Sequence, residues 1–209
     1  MKIVFGTAIS MPPYNPGKIL HRIQYIIGLQ RLGHEVYLLE ELNPQWCVNK
    51  FGKTVSYKNS INRYIFQKII KCFGIKEKAY QIQCEGETSF GPSRKAILAK
   101  LKEADLLINW SGHIKSDWIL SAIKRRVYMD QDPVYTQLWY AEYGADLDFK
   151  NHDKFLSVGL NIGSADNSIP DCGVNCCLLY TSDAADDRTW VVVAGGGGGV
   201  VGGGGGGGG

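Results

Sequence analysis

The stretch MKIVFGTAISMPPYNPGKILHRIQYIIGLQRLGHEVYLLEE, residues 1–41, decides the fold. Lys2 to Phe5 is an apolar burst closed by Gly6, the pattern of a central parallel strand buried on both faces. A loop from Thr7 to Gly17 follows, holding Pro12, Pro13 and Pro16. From Lys18 the spacing changes. Ile19, Ile23, Ile26 and Ile27, then Gln30 and Leu32, recur at three- and four-residue steps, which predicts a helix with one apolar face. Gly33 is its expected C-terminal cap. Val36-Tyr37-Leu38-Leu39 then reads as a second strand ending on Glu40 and Glu41. Strand, helix and strand in so short a stretch close only as a right-handed parallel crossover. The expected class is therefore α/β, a Rossmann-like open parallel sheet with helices on both faces, its ligands beyond the strands' C-terminal ends.

Working outward, Asn43 to Val55 is a polar loop that predicts a surface excursion. Asn59 to Phe73 predicts a helix capped by Asn59 or Ser60, with Ile61, Tyr64, Ile65, Ile69 and Cys72 on one face and Gly74 ending it. Residues 43–90 thus form a basic helical excursion from the alternating pattern. Between residues 50 and 78, Lys50, Lys53, Lys58, Arg63, Lys68, Lys71, Lys76 and Lys78 are opposed only by Glu77. Such a stretch fits an anionic membrane surface or a phosphorylated substrate, and equally a solvated helix face. Nucleic acid is not expected, because the aromatics here fall at helical packing intervals with no stacking motif. Cys84 to Gly91 reads as a turn-rich loop, and Pro92 as the first residue of a helix whose apolar face is Ala96, Ile97, Leu98 and Leu101. Strands are expected at Asp105–Asn109, Val127–Met129 and Lys154–Leu160, with a short helix at Asp117–Ile123.

The end of the chain differs in kind. Thirteen of the 26 glycines lie in residues 195–199 and 202–209, a tract with no side chains to bury and a maximal ordering cost. Just before it, Cys177 to Asp187 (CLLYTSDAADD) resembles the translation of a sequencing-library adaptor, and polyglycine is what a run of G base calls would encode. A natural Gly-rich linker is the alternative. Residues 177–209 are accordingly expected to be a disordered tail, and residues 1–176 one domain. Without the tail's Asp183, Asp186, Asp187 and Arg188 the formal charge moves from +3 to +5, mildly basic. The remaining cysteines, Cys47, Cys72, Cys84, Cys172 and Cys176, are odd in number and have no Cys-x-x-Cys pair, which points to reduced thiols rather than disulfides or a zinc site. With Met1-Lys2 running straight into a strand and no apolar run long enough to span a bilayer, a cytoplasmic protein is expected, with peripheral contact on the inner face of the membrane as an option.

Several chemistries lack their motif. Glu40 stands where a ribose-binding acid would be, yet nothing between Gly6 and Gly17 is spaced as Gly-x-Gly-x-x-Gly. A Walker loop, a nucleophile elbow and a His-Glu-x-x-His helix are absent too. No cofactor and no metal are expected.

The segments MKIVFGTAIS, IQYIIGLQRLGHEVYLLEE, ADLLINWSG, RRVYMDQDPVYTQ and NIGSADNSIPDCGV together resemble the N-terminal half of bacterial glycosyltransferases of the GT-B architecture, which have two facing Rossmann-like domains. The resemblance covers most of residues 1–176 and points to a poorly characterised subgroup. It implies an acceptor-side domain, a nucleotide-sugar donor as co-substrate, and a C-terminal donor domain that this chain lacks, so that the fragment alone would not turn over. The acceptor would be a glycan, a lipid or a small molecule. A non-catalytic nucleotide- or partner-binding α/β domain is the alternative.

Sugar transfer needs a group to take the acceptor's proton. Asp130 and Asp132, at a strand's C-terminal end, are candidates for a base or for holding acceptor hydroxyls. Asp132 equally suits a turn carboxylate before Pro133. His113 is a candidate for donor-phosphate contact or base, or a surface histidine. Gly17 at the helix start would bring a backbone N–H to an anionic group. Ser111 with Gly112, and Thr136 with Gln137, are neutral hydrogen-bonding positions suited to sugar hydroxyls.

Overall fold

The computed structural model describes residues 1–83, 88–164 and 167–179. Their strands are β1 (Lys2–Gly6), β2 (Glu35–Leu42), β3 (Ala79–Gln83), β4 (Thr88–Phe90), β5 (Leu106–Trp110), β6 (Arg126–Asp130), β7 (Lys154–Ser157) and β8 (Cys176–Leu178). The helices are α1 (Pro16–Arg31), α2 (Ile61–Cys72), α3 (Arg94–Lys102), α4 (Asp117–Leu120) and α5 (Tyr135–Ala141). One sheet holds all eight strands in the order β4-β3-β2-β1-β5-β6-β7-β8, seven of them parallel and β4 antiparallel at the edge. The order reverses between β1 and β5, where Gly6 stands opposite Asn109. This is an α/β Rossmann-like open sheet, and the point of reversal is where such sheets form their crevice.

The core follows from alternation along strands covered on both sides. Phe5, Val36 and Leu38 pack with Ile23 and Ile26 of α1 and Ile65, Phe66, Ile69 and Ile70 of α2 on one face. Val4, Tyr37, Leu39 and Leu107 pack with Ile97 and Leu101 of α3 and Ile119 and Leu120 of α4 on the other. Neighbouring residues of one strand therefore enter different cores, which is why these strands read as unbroken apolar runs.

Helix boundaries follow their caps. Asn15 Oδ1 accepts from the Lys18 N–H at 3.0 Å and opens α1 at Pro16. Gly33, in the left-handed region at φ 84°, closes it. Ser60 accepts from the Arg63 N–H at 3.2 Å and opens α2. Ser93 caps α3 through the Ala96 N–H at 3.4 Å, so that helix begins at Arg94 rather than at Pro92.

Other expectations need correction. Tyr64 and Cys72, placed on the apolar face of α2, are exposed, and Asn62, Phe66 and Ile70 are buried instead. Strand β3 lies within the excursion at residues 43–90 expected to be helical, since Gln81 and Gln83 interrupt its apolar pattern, and β4 lies within the loop expected at Cys84–Gly91, of which residues 84–87 fall outside the described residues. β7 stops at Ser157, short of Leu160. β8 crosses the boundary drawn at residue 176: the backbone of Cys176 to Leu178 pairs with Phe155 to Ser157, and Leu179 packs against the core. Strand addition draws on main-chain groups and tolerates the small and apolar side chains of Cys176-Cys177-Leu178. The tail from 180 to 209 lies outside the described residues. The described cysteines, Cys47, Cys72, Cys172, Cys176 and Cys177, are unpaired. Among the described residues no helix is long and apolar enough to cross a membrane.

Gly6 is the closest approach in the fold. A Cβ there would stand 2.5 Å from Ile114 Cγ1, an inner atom of a side chain with no exposure. Gly6→Ala is expected to cost about 1–3 kcal/mol in urea unfolding, as overpacking does. Adding Ile114→Ala should return part of that loss, and a double-mutant cycle without coupling would contradict the contact.

Candidate functional site at the carboxyl edge of the sheet

The loops leaving β1, β2, β5 and β6 meet at the point of reversal. The loop after β5 is shaped by two consecutive left-handed residues, Ser111 at φ 47° and Gly112 at φ 64°. Gly112 is required there by packing as well, since a Cβ would meet Tyr128 Cε2 at 2.9 Å and the Leu147 carbonyl at 3.1 Å. Asn109 then grips Ile114 on both sides. Its Oδ1 accepts from the Ile114 N–H and its Nδ2 donates to the Ile114 carbonyl, each at 2.9 Å. The same Nδ2 lies 3.0 Å from His152 Nε2, and His152 Nδ1 lies 2.9 Å from the Asp148 carbonyl. This geometry assigns the proton to Nδ1.

The loop is tied on its far side to β2. Glu41 accepts from the N–H groups of Lys115 at 2.7 Å and Ser116 at 3.2 Å, and from the Ser116 hydroxyl. Because β1 lies between β2 and β5, residues 113–116 run across the end of β1. Ile114 seals the crevice over Gly6 on the α3/α4 face. A nucleotide in the position usual for open sheets would have to displace it.

A second carboxylate holds the loop after β1. Glu40, with no exposure, accepts from Ser10 N–H, Ser10 Oγ and Gln81 Nε2, each at 3.0 Å. Gln81 accepts in turn from the Tyr57 hydroxyl at 2.5 Å, and Asn62 donates to the Ser10 carbonyl at 2.9 Å. Arg22 of α1 donates to the Ala8 carbonyl. Residues 7–10 are therefore buried and fixed by β2, β3, α1 and α2 together.

The α1 side of the edge carries a cluster of aromatic and charged side chains. Trp110 meets His21 at 5.1 Å and Tyr25 at 5.3 Å between ring centroids, and the Arg22 guanidinium sits 5.6 Å over its ring. Asp132 acts electrostatically on both His21 and Arg22 from the loop after β6. Six buried side-chain polar atoms lack a partner among the described residues, and three of them, Thr7 Oγ1, Ser111 Oγ and Gln131 Nε2, lie at this edge, Gln131 beside the Tyr25 hydroxyl. Each of the three belongs to the first residue after a strand, β1, β5 and β6 in turn. Buried polar atoms are nearly always satisfied, so three orphans at one edge mark where a ligand or ordered water belongs.

The sequence candidates separate into two groups here. Asp130, 2% exposed, accepts from the Asp132 N–H at 3.1 Å, Thr136 Oγ1 at 2.7 Å, Gln137 Nε2 at 3.1 Å and Ser157 Oγ at 3.3 Å. Gln137 Oε1 also accepts from the Val134 N–H at 2.6 Å, holding that β-branched residue in the left-handed region at φ 78°. Asp130, Thr136 and Gln137 thus satisfy one another inside the protein, and their expected contact with sugar hydroxyls gives way to fixing the loop that carries Gln131 and Asp132. Burial, with the charges of Arg22 and Lys115 behind it, pushes the His113 imidazole down to about 3. Its Nε2 accepts from the Glu41 N–H at 3.2 Å. The ring is neutral at physiological pH and its acceptor is spent, so His113 positions the loop and offers a ligand only the Nδ1 N–H. Gly17 lies exposed in the first turn of α1, away from this cluster of contacts. Asp132 and Ser111 remain free to meet a ligand. Thr7, His21, Arg22 and Gln131 lie beside them, unsignalled by any motif, with Trp110 buried beneath at 5% exposure; their shared position just past a strand end, or one turn into α1, is the available clue.

No protein-family model matches the chain, and no curated protein sequence matches it.

Two consequences are measurable. Burial pushes the Glu40 carboxyl up to about 7 from an ordinary 4.5, against the pull of Ser10, Gln81 and Arg22. A raised carboxyl favours the folded state most below its unfolded value, and that advantage fades as pH rises through the folded value. Wild type should therefore lose up to about 3 kcal/mol relative to Glu40→Gln between about pH 4 and about pH 8, read from urea midpoints. Asp130→Ala strands four donors and should cost about 3 kcal/mol or more by the same measurement; an unchanged midpoint would remove Asp130 from its anchoring role.

Proposed function

We propose that this chain is the acceptor-side half of a GT-B glycosyltransferase, binding a polyhydroxylated acceptor at the carboxyl edge of its sheet. The observation that carries the proposal is the set of neutral groups at this edge, Thr7 Oγ1 and Ser111 Oγ without partners and the Gln131 amide beside Tyr25, near the exposed Asp132 carboxylate. Hydroxyl and amide groups suit sugar hydroxyls, which donate and accept in turn, better than they suit phosphate. The seal formed by Ile114 agrees with a donor nucleotide bound elsewhere, on a second domain facing this edge.

In the complete enzyme an acceptor hydroxyl oxygen forms the bond to the anomeric carbon. Its proton passes to the Asp132 carboxylate, and the nucleoside diphosphate leaves with the bonding pair. His21 and Arg22 lie within electrostatic range of that carboxylate.

The test begins with the coding sequence adjoining this segment in its source DNA, which should encode a second α/β domain. The joined protein should release nucleoside diphosphate from a panel of nucleotide sugars when acceptor is added. Asp132→Asn should lower kcat by roughly 100-fold or more with a small change in KM. A neighbouring sequence without such a domain, or an Asp132→Asn enzyme with full turnover, would overturn the proposal.

A further inference from the structure

The excursion between β2 and β3 leaves a surface that the site does not use. From Asn43 to Ile75 there is no aspartate or glutamate, while Lys50, Lys53, Lys58, Arg63, Lys68 and Lys71 supply six cations. The segment is held rigidly to the domain. Val48 pairs with Thr54, the Val48 N–H donates to Asn62 Oδ1 at 3.0 Å, and the Ile61 N–H donates to the Val48 carbonyl at 2.8 Å. Cys47 and Tyr57 pack beneath it on Leu42. What faces outward is aromatic as well as basic. Trp46 is 56% exposed, Phe51 75% and Tyr64 51%.

Lys50 Nζ lies 4.9 Å from the Phe51 ring centre and Lys68 Nζ 4.7 Å from that of Tyr64, so cations and rings are interleaved. On α2, Tyr64, Lys68 and Lys71 follow at helical spacing along the exposed face opposite Phe66 and Ile70. Lys78 does not belong to this surface. It pairs with Glu35 at 3.4 Å beside the start of β2, so the basic face is shorter than the sequence run.

We propose that residues 44–71 form a docking surface for an anionic phospholipid bilayer, with Trp46 and Phe51 entering the headgroup layer and the lysines and Arg63 facing its negative charge. Charge complementarity selects the partner's sign, because cations without a single local acid repel one another until an anionic surface meets them. The exposed rings select a bilayer over a polyanion, since amphipathic aromatics concentrate at the membrane interface. The inference is independent of the sugar-transfer reading.

Co-sedimentation of the full chain with vesicles tests it. Vesicles of phosphatidylcholine with about one third phosphatidylglycerol should carry the protein down at low salt, and pure phosphatidylcholine vesicles should not. Each of Lys50→Gln, Lys53→Gln and Lys58→Gln should weaken partitioning roughly fivefold. Phe51→Ala and Trp46→Ala should each weaken it at constant charge, with far-UV circular dichroism confirming the fold. Trp139→Ala, which removes another exposed indole far along the chain, should change nothing. Absent sedimentation, retention unchanged in Phe51→Ala and Trp46→Ala, equal loss in Trp139→Ala, or capture by single-stranded RNA in preference to vesicles would each overturn the proposal.

Discussion

A strand flanked by strands on both sides and covered by helices on both faces has one way out, over its own carboxyl end. β1 is that strand, and the residues leaving it pass between two other chain segments. On one side Glu40 takes two hydrogen bonds from Ser10 and a third from Gln81. On the other, Asn109 fixes Ile114 over Gly6. Both anchors are side chains at strand ends, and both are buried. The geometry of the edge depends on these polar groups being satisfied from neighbouring strands, since water cannot reach them.

The consequence is an edge with two unlike sides. Over the α3/α4 face the loop from β5 reaches β2 and is held there by Glu41, which closes the crevice. Over the α1 face His21, Tyr25 and Arg22 close on the Trp110 ring. Burying Glu40 is costly enough to push its carboxyl up to about 7, whereas His113 is driven the opposite way, to about 3. Desolvation is the leading cause in both, and it acts against charge whatever its sign. The two groups are therefore structural supports of the edge.

The basic excursion illustrates how one segment serves both ends of this arrangement. Its inner side supplies Asn62 and Tyr57 to the network around Ser10 and Gln81. Its outer side presents rings and cations together. A helix with a polar residue on its buried face and an aromatic on its exposed face breaks the usual partition. That inversion is also why the apolar face of α2 was misread around Tyr64 and Cys72, while Phe66 and Ile70 carry the packing.

The sequence by itself determined the α/β class, the β1-α1-β2 unit and most helix ends, because hydrophobic period and capping are local properties of a few neighbouring residues. It also placed Asp132 and Ser111 just past the carboxyl ends of parallel strands, a position that sequence alone can mark. Tertiary structure decided the rest. β3 was hidden because Gln81 is polar yet buried, a choice that makes sense only beside Glu40. Asp130, Thr136 and Gln137 look like binding groups in one dimension and are partners of one another in three. Whether a polar side chain is spent or free depends on what stands within about 3 Å of it. At this edge those neighbours come from strands and helices far apart in the chain.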